Sequence, residues 1–212
     1  MKKGILFDLD GTLWDSSAQV ADSWVLALKD YPQVKQRITR ASIQSVMGKP
    51  MDEIGEILFG ELCEEERKNV LKHCMEVENA YIREHGGVLF EGIEDALARL
   101  KETYHLFIVS NCQVGYIEAF LAYYGLERYF DDYESYGGTG LTKGENIRLV
   151  AQRNHLEAAV YVGDTQGDYE AAVAAEMPFI HARTGYGSVS ASVPYIQRLG
   201  DLVDMVEKVM GI

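Results

Sequence analysis

Four short apolar runs constrain this chain more than any other feature. Gly4–Asp8, His105–Ser110, Ala158–Gly163 and Met177–His181 read as strands. Every run but the last is followed by a polar or glycine-containing turn and then a helical pattern. Gln113–Tyr124 sets Val114, Ile117, Leu121 and Tyr124 on one face and stops at Gly125, a C-cap. Lys143–Asn154 carries Ile147, Val150 and Ala151 in the same way, with Thr142 as its N-cap. Asp168–Ala175 is alanine-rich and stops before Met177-Pro178. Strands alternating with helices predict an α/β, Rossmann-like fold, a mostly parallel sheet with helices on both faces.

One region breaks the alternation. Val20, Trp24 and Leu28 are four apart, and Tyr31-Pro32 ends that helix. Ile43, Val46 and Met47 suggest a second helix, and Ile54, Ile57 and Leu58 a third. Glu64–His85 is long, with Val70, Cys74, Val77 and Tyr81 on one face, and Gly86-Gly87 closes it. Residues 16–85 are therefore expected to form an α-helical cap domain, inserted into a core made of residues 1–15 and 86–212. Open parallel sheets bind ligands beyond the carboxyl ends of their strands. Asp8, Ser110 and Asp164 lie at such ends, and the helical insert leaves from the same edge, so it should cover them.

Composition narrows the function. With 212 residues, 47% hydrophobic and 25% charged, the chain suits one large domain or a domain with an insert. A net charge of −13 argues against nucleic acid and anionic membranes, which need clustered Lys and Arg. No run of roughly 18 apolar residues predicts a membrane span. The opening MKKGILFDLDG is interrupted by charge too early for a signal peptide. Cys63, Cys74 and Cys112 are odd in number and lack metal spacing, which suits reduced thiols in the cytoplasm. His73, His85, His105, His155 and His181 also lack metal spacing and read as surface or capping residues.

The chemistry begins with a carboxylate, Asp8, at the end of a hydrophobic strand and a second, Asp10, two residues later. A buried unpaired carboxylate is costly, so a partner is required. Ser110-Asn111 ends the second strand, Lys143 opens a helix in GLTKGENI, and Asp164 and Asp168 follow the third strand in VGDTQGD. Four carboxylates converge without repulsion only around a cation; Mg²⁺ takes one or two carboxylates and leaves room for water and a substrate phosphate. Lys143 adds a positive charge, though Lys101 is a rival for that role. The Ser110 hydroxyl, the Asn111 amide and backbone N–H groups around Gly11-Thr12 are further anion donors. An acidic chain can thus hold a locally cationic, phosphate-binding pocket.

DLDGT after an apolar strand, then VSN, a lysine and GDTQGD resemble the four ordered motifs of the haloacid dehalogenase-like hydrolase superfamily, from Ile5 to about Gly187. The helical insert after the first motif resembles the small cap of the phosphoglycolate phosphatase and β-phosphoglucomutase branch. The resemblance implies that Asp8 is the nucleophile, forming an aspartyl-phosphate, and that Asp10 is the general acid and then the base. It implies Mg²⁺ held by Asp8, the Asp10 carbonyl and Asp164, with Asp168 binding directly or through water. Thr12, Ser110, Asn111 and Lys143 would hold the phosphoryl oxygens. Dehalogenases of the superfamily lack a carboxylate at the Asp10 position, so the resemblance favours phosphoryl transfer. Gly163-Asp164 matches phosphatases better than the Glu-Asp of the mutases.

The expected substrate is a small phosphorylated metabolite selected by the cap, with phosphoglycolate, a sugar phosphate and a nucleotide all open. Lys49, in the loop Val46–Glu53, is the candidate for an anionic part of the substrate, while Arg37 and Arg40 read as a solvated face. Trp14 and Asp15 are expected at the hinge and pocket mouth, and Cys112 at a helix start. Tyr123–Tyr136 reads as packing and surface, and Glu134–Gly140 as a flexible loop leading to Lys143. A phosphosugar mutase and a non-catalytic phosphometabolite-binding module are the alternatives. No feature of the sequence marks an oligomer interface.

Overall fold

The computed structural model of the chain describes residues 2–211. It starts with β1 (Lys3–Phe7) and a two-residue strand β2 (Trp14–Asp15). Four helices follow, α1 (Ser17–Ala27), α2 (Arg40–Gln44), α3 (Met51–Leu58) and α4 (Glu64–His85). The chain returns through β3 (Val88–Leu89), which pairs antiparallel with β2, Trp14 opposite Leu89 and Asp15 opposite Val88. The helical segment therefore leaves and re-enters through one short ribbon.

The rest of the chain alternates. It runs α5 (Ile93–Lys101), β4 (His105–Ser110), α6 (Tyr116–Tyr124), β5 (Phe130–Ser135) and a single turn α7 (Tyr136–Thr139). Then come α8 (Lys143–Arg153), β6 (Ala158–Gly163), α9 (Gln166–Ala174), β7 (Phe179–Ala182), β8 (Tyr195–Ile196) and α10 (Leu202–Met210). Among the described residues six strands form one parallel sheet, in the order β5-β4-β1-β6-β7-β8. The direction of winding reverses between β1 and β6, the place where such sheets open a crevice.

Strand residues alternate between two cores. Ile5, Phe7, Leu106, Ile108, Val160 and Val162 pack on one face with α5, α6 and α10. Leu6, Phe107, Val109 and Tyr161 pack on the other with Ile147, Val150 and Ala172 of α8 and α9. Both faces are covered, so the middles of these strands are continuously apolar rather than alternately polar. In the helical segment α1 packs on α4, with Trp24 stacked on Phe59 at 5.8 Å, and α4 packs on α6.

Several expectations are corrected. Helix α6 begins at Tyr116, not Gln113, because Gln113 and Val114 are held by Asn79 of α4 instead; Val114 is exposed. Cys112 accordingly lies before the helix rather than at its start. Ile57 faces out, and α3 buries Met51, Ile54 and Leu58. The expected loop Glu134–Gly140 is the end of β5 followed by α7, capped by the Ser135 hydroxyl. Trp14 is in the ribbon but fully buried against Tyr116, Phe120 and Tyr124, so it is core rather than pocket mouth. His181 is buried, and its Nε2 lies 3.1 Å from the Asp164 carbonyl oxygen.

Candidate active site

The site gathers at the carboxyl ends of β1, β4 and β6. Asp8 follows directly on β1, and its N–H donates to the Val162 carbonyl at 2.8 Å, so the ladder itself fixes it. The chain then turns sharply, with the Leu13 N–H donating to the Leu9 carbonyl. Gly11 has φ +81°, and a Cβ there would collide with the Asp164 carboxylate. This turn brings the first motif against Asp164, at the end of β6.

Lys143 is the first residue of α8, placed by a capping box between Thr142 and Glu145. Its buried ammonium bridges Asp8 Oδ1 at 2.9 Å and Asp168 Oδ1 at 2.6 Å. Lys101, the rival candidate, instead pairs with Asp131. Asp168 is the third residue of α9, where it closes a second capping box. Its Oδ2 accepts from the Thr165 N–H and hydroxyl at 3.0 and 2.7 Å. Both oxygens of Asp168 thus have partners.

Asp164 is anchored through one oxygen only. Its Oδ2 accepts from the N–H groups of Tyr186 at 2.7 Å and Gly187 at 3.3 Å. A Cβ on Gly185 would strike that same carboxylate and the Gly11 carbonyl, so the loop approaches this closely only as glycine. The other oxygen, Oδ1, is buried and has no hydrogen-bond partner among the described residues. Oxygens of Asp8, Asp164 and Asp168 all lie within 4.8 Å of one another.

The electrostatics follow from this crowding. Burial, then the charge of Asp168, push Asp8 up to about 7 despite Lys143. Burial, then Asp168 and Asp8, push Asp164 up to about 8. Burial alone would lower Lys143, but Asp168 and Asp8 outweigh it and hold the ammonium above its ordinary pKa. Three carboxylates face one ammonium, which leaves two negative charges when all are ionised. A buried oxygen without a partner and an excess of two charges fit a divalent cation such as Mg²⁺, which prefers carboxylate oxygen.

Asp10 stands apart from this cluster. Its Oδ1 lies 2.5 Å from the Ser16 hydroxyl and 3.0 Å from the Tyr116 hydroxyl. Burial holds its pKa above the ordinary value, with Ser16 and Tyr116 opposing the rise. Asp8 and Asp10 both line a cavity of about 40 Å³ between the sheet edge and the helical segment, together with Ser110, Asn111, Lys49 and Glu78.

The predicted anion donors fare unevenly. Ser110 is buried on the cavity wall. The Asn111 amide donates instead to the Gly48 carbonyl at 2.8 Å, and its Oδ1 is left without a partner among the described residues. The N–H groups of Gly11 and Thr12 are engaged in the turn, with the carbonyls of Trp14 and Leu9. Thr12 is fully buried, and its hydroxyl has no partner among the described residues. Lys49 reaches the cavity but pairs with Glu53. Arg40 is more than a solvated residue: its guanidinium bonds Asp15 and Ser17.

Glu78, Gln113, Ser16, Tyr116 and the Tyr186 loop escaped the sequence reading. Glu78 had a signal. The stripe buried on α4 is Val70, Cys74, Glu78 and Ile82, not Val77 and Tyr81, and following apolar residues alone hid the carboxylate within it.

Residues 5–182 match the sequence pattern described as haloacid dehalogenase-like hydrolase. The chain belongs to that family. Among curated relatives of this hydrolase, phosphoglycolate phosphatase of Salmonella typhimurium is 27% identical, over 87% of this chain and 82% of the relative. That of Shigella dysenteriae is 26% identical over 95% and 91%. A haloacid dehalogenase-like hydrolase from Bacteroides fragilis superposes with a TM-score of 0.80 at 24% identity, covering 95% of this chain and all of that one. CbbY from Rhodobacter sphaeroides, solved with xylulose-1,5-bisphosphate, gives 0.79 at 18% identity over 95% and 96%. These structures share the fold.

Proposed function

We propose that this hydrolase is a Mg²⁺-dependent phosphatase of small phosphomonoesters, working through an aspartyl-phosphate on Asp8, with residues 16–85 as its cap. The observation that carries the reading is Lys143 bridging Asp8 and Asp168 beside the unpartnered Asp164 Oδ1. The family and its phosphoglycolate phosphatase relatives support a phosphoric monoester hydrolase.

Asp8, Asp164 and the Asp10 carbonyl would hold the metal, with Asp168 anchoring Lys143. Bound there, the metal would neutralise phosphoryl charge and keep Asp8 ionised. An Asp8 oxygen attacks phosphorus as the bond to the leaving oxygen breaks. Lys143 holds Asp8 in line and offsets charge building on the phosphoryl oxygens; one such preorganised donor is worth roughly 3–4 kcal/mol. Asp10, whose pKa burial raises above the ordinary value, gives its proton to the leaving oxygen. It then takes a proton from the water that attacks the phosphorus of the aspartyl-phosphate. The phosphorus–Asp8 bond breaks, phosphate leaves, and both carboxyls are restored.

The cap closes the cavity over Asp8 and Asp10, which suits a small metabolite and keeps bulk water out. Three free cysteines suit a reducing cytoplasm. No described helix is long and apolar enough to cross a membrane. Phosphate release from small esters, measured with Mg²⁺ and with a chelator, tests the reading. Release that needs the metal is expected; release indifferent to the chelator would contradict it.

A further inference from the structure

Glu78 has no role in the mechanism above, yet among the described residues it is the one buried carboxylate of residues 16–85. It lies on the wall of the cavity that Asp8 and Asp10 line. The walls around it are apolar, including Val20, Trp24, Ile43, Met47 and Ile54. The Trp24 indole N–H donates to Oε2, and the Gln113 amide donates to Oε1 at 3.1 Å. An indole N–H can only donate, so the arrangement treats Glu78 as an acceptor. A carboxylate offers about four acceptor sites, and these two donors fill two of them. Burial pushes Glu78 up to about 7, so the carboxylate is poorly suited to packing alone.

The ester's phosphorus sits at Asp8 and its leaving oxygen at Asp10, so the rest of the leaving group extends into this cavity. We propose that Glu78 selects the leaving group: it accepts a hydrogen bond from a hydroxyl or ammonium on that group and turns away esters that carry a carboxylate there. The proposal rests on the phosphatase reading. Lys49 is the one cation on the cavity wall among the described residues, and it is already paired with Glu53. A carboxylate in the leaving group would therefore face Glu78 with little compensation. The substrate class is then a small polyol or amino-alcohol phosphate, and it differs from the phosphoglycolate named for the curated relatives.

The test compares kcat/KM of the full-length protein with Mg²⁺ on glycerol 3-phosphate, phosphoethanolamine and phosphoglycolate. The better of the first two should exceed phosphoglycolate by about 100-fold, since a site built around a polar contact rejects mismatched ligands strongly. The first two esters rank hydroxyl against ammonium. Glu78→Gln should shrink that preference about tenfold or more. Phosphoglycolate equal or better with the wild type, or an unchanged preference in a folded variant, would overturn the proposal. If Glu78→Gln fails to fold, the wild-type ranking still decides. An aryl phosphate in the same assay separates the two readings, because wild type that hydrolyses no ester contradicts the phosphatase reading instead. Glu78 is then judged by calorimetry of the wild type with Mg²⁺. Tighter glycerol 3-phosphate supports it, and tighter phosphoglycolate overturns it.

Discussion

Asp10 has two hydroxyls, Ser16 and Tyr116, on the same oxygen, which leaves Oδ2 as the oxygen to carry the proton in the proposed mechanism. Tyr116→Phe keeps the ring packed on Trp14 and removes one of those donors. We expect kcat to fall about tenfold for alkyl esters and less for an aryl phosphate, whose leaving group needs less protonation. The sign of the pH effect is fixed. Burial raises Asp10 and the Tyr116 hydrogen bond opposes that rise, so its loss moves the alkaline limb of kcat/KM to higher pH. A pH–rate profile of the variant checks this, and an unmoved limb would remove Tyr116 from the positioning of the acid. At this scale Asp8, Lys143, Asp164 and Asp168 were legible because backbone geometry delivers them: a strand end, a helix start and a capping box. Tyr116 and Glu78 were not, because their partners are brought near only by packing of distant segments, and Ser16 was not, because the local turn that folds it back onto Asp10 leaves no periodic pattern.

The elements do more than frame the site. Thr165 caps α9 and binds the carboxylate of Asp168, so one hydroxyl serves helix stability and active-site order together. Thr165→Ala should cost about 1 kcal/mol of stability, read as a lower melting temperature. It should also weaken activation by Mg²⁺, because Asp168 then holds Lys143 less firmly. A stability loss with unchanged metal dependence would show the cap to be structural only. Strands β1, β4 and β6 were legible because both faces are buried and their interiors are unbroken apolar runs. Strand β5 was not, because it is an edge strand whose half-buried Asp132 and Glu134 bond Arg153 of α8 and break any apolar run. The β2–β3 ribbon and β8 are two residues each, below the length at which a periodic pattern exists.

The whole molecule carries buried acid, and that sets how its stability responds to pH and metal. Asp8, Glu78 and Asp164 are raised from ordinary values of 3.8, 4.5 and 3.8 to about 7, 7 and 8. Between those limits the folded chain binds more protons than the unfolded chain, so raising the pH favours unfolding. Without Mg²⁺ the melting temperature should fall from pH 5 towards pH 8. If Mg²⁺ is held as proposed by the ionised carboxylates of Asp8 and Asp164, its stabilising effect should be larger at pH 8 than at pH 6. Thermal melts on that grid check both signs; a chain that gains stability on deprotonation without metal would contradict the electrostatics. Covalent catalysis by Asp8, as proposed, is open to acid-quenched turnover read by peptide mass spectrometry. During turnover with Mg²⁺ the peptide holding Asp8 should gain the mass of one phosphoryl group. Asp8→Asn should keep the fold by circular dichroism and lose both the adduct and turnover. Undiminished turnover by Asp8→Asn, with no phosphoryl group on the wild-type peptide, would contradict it.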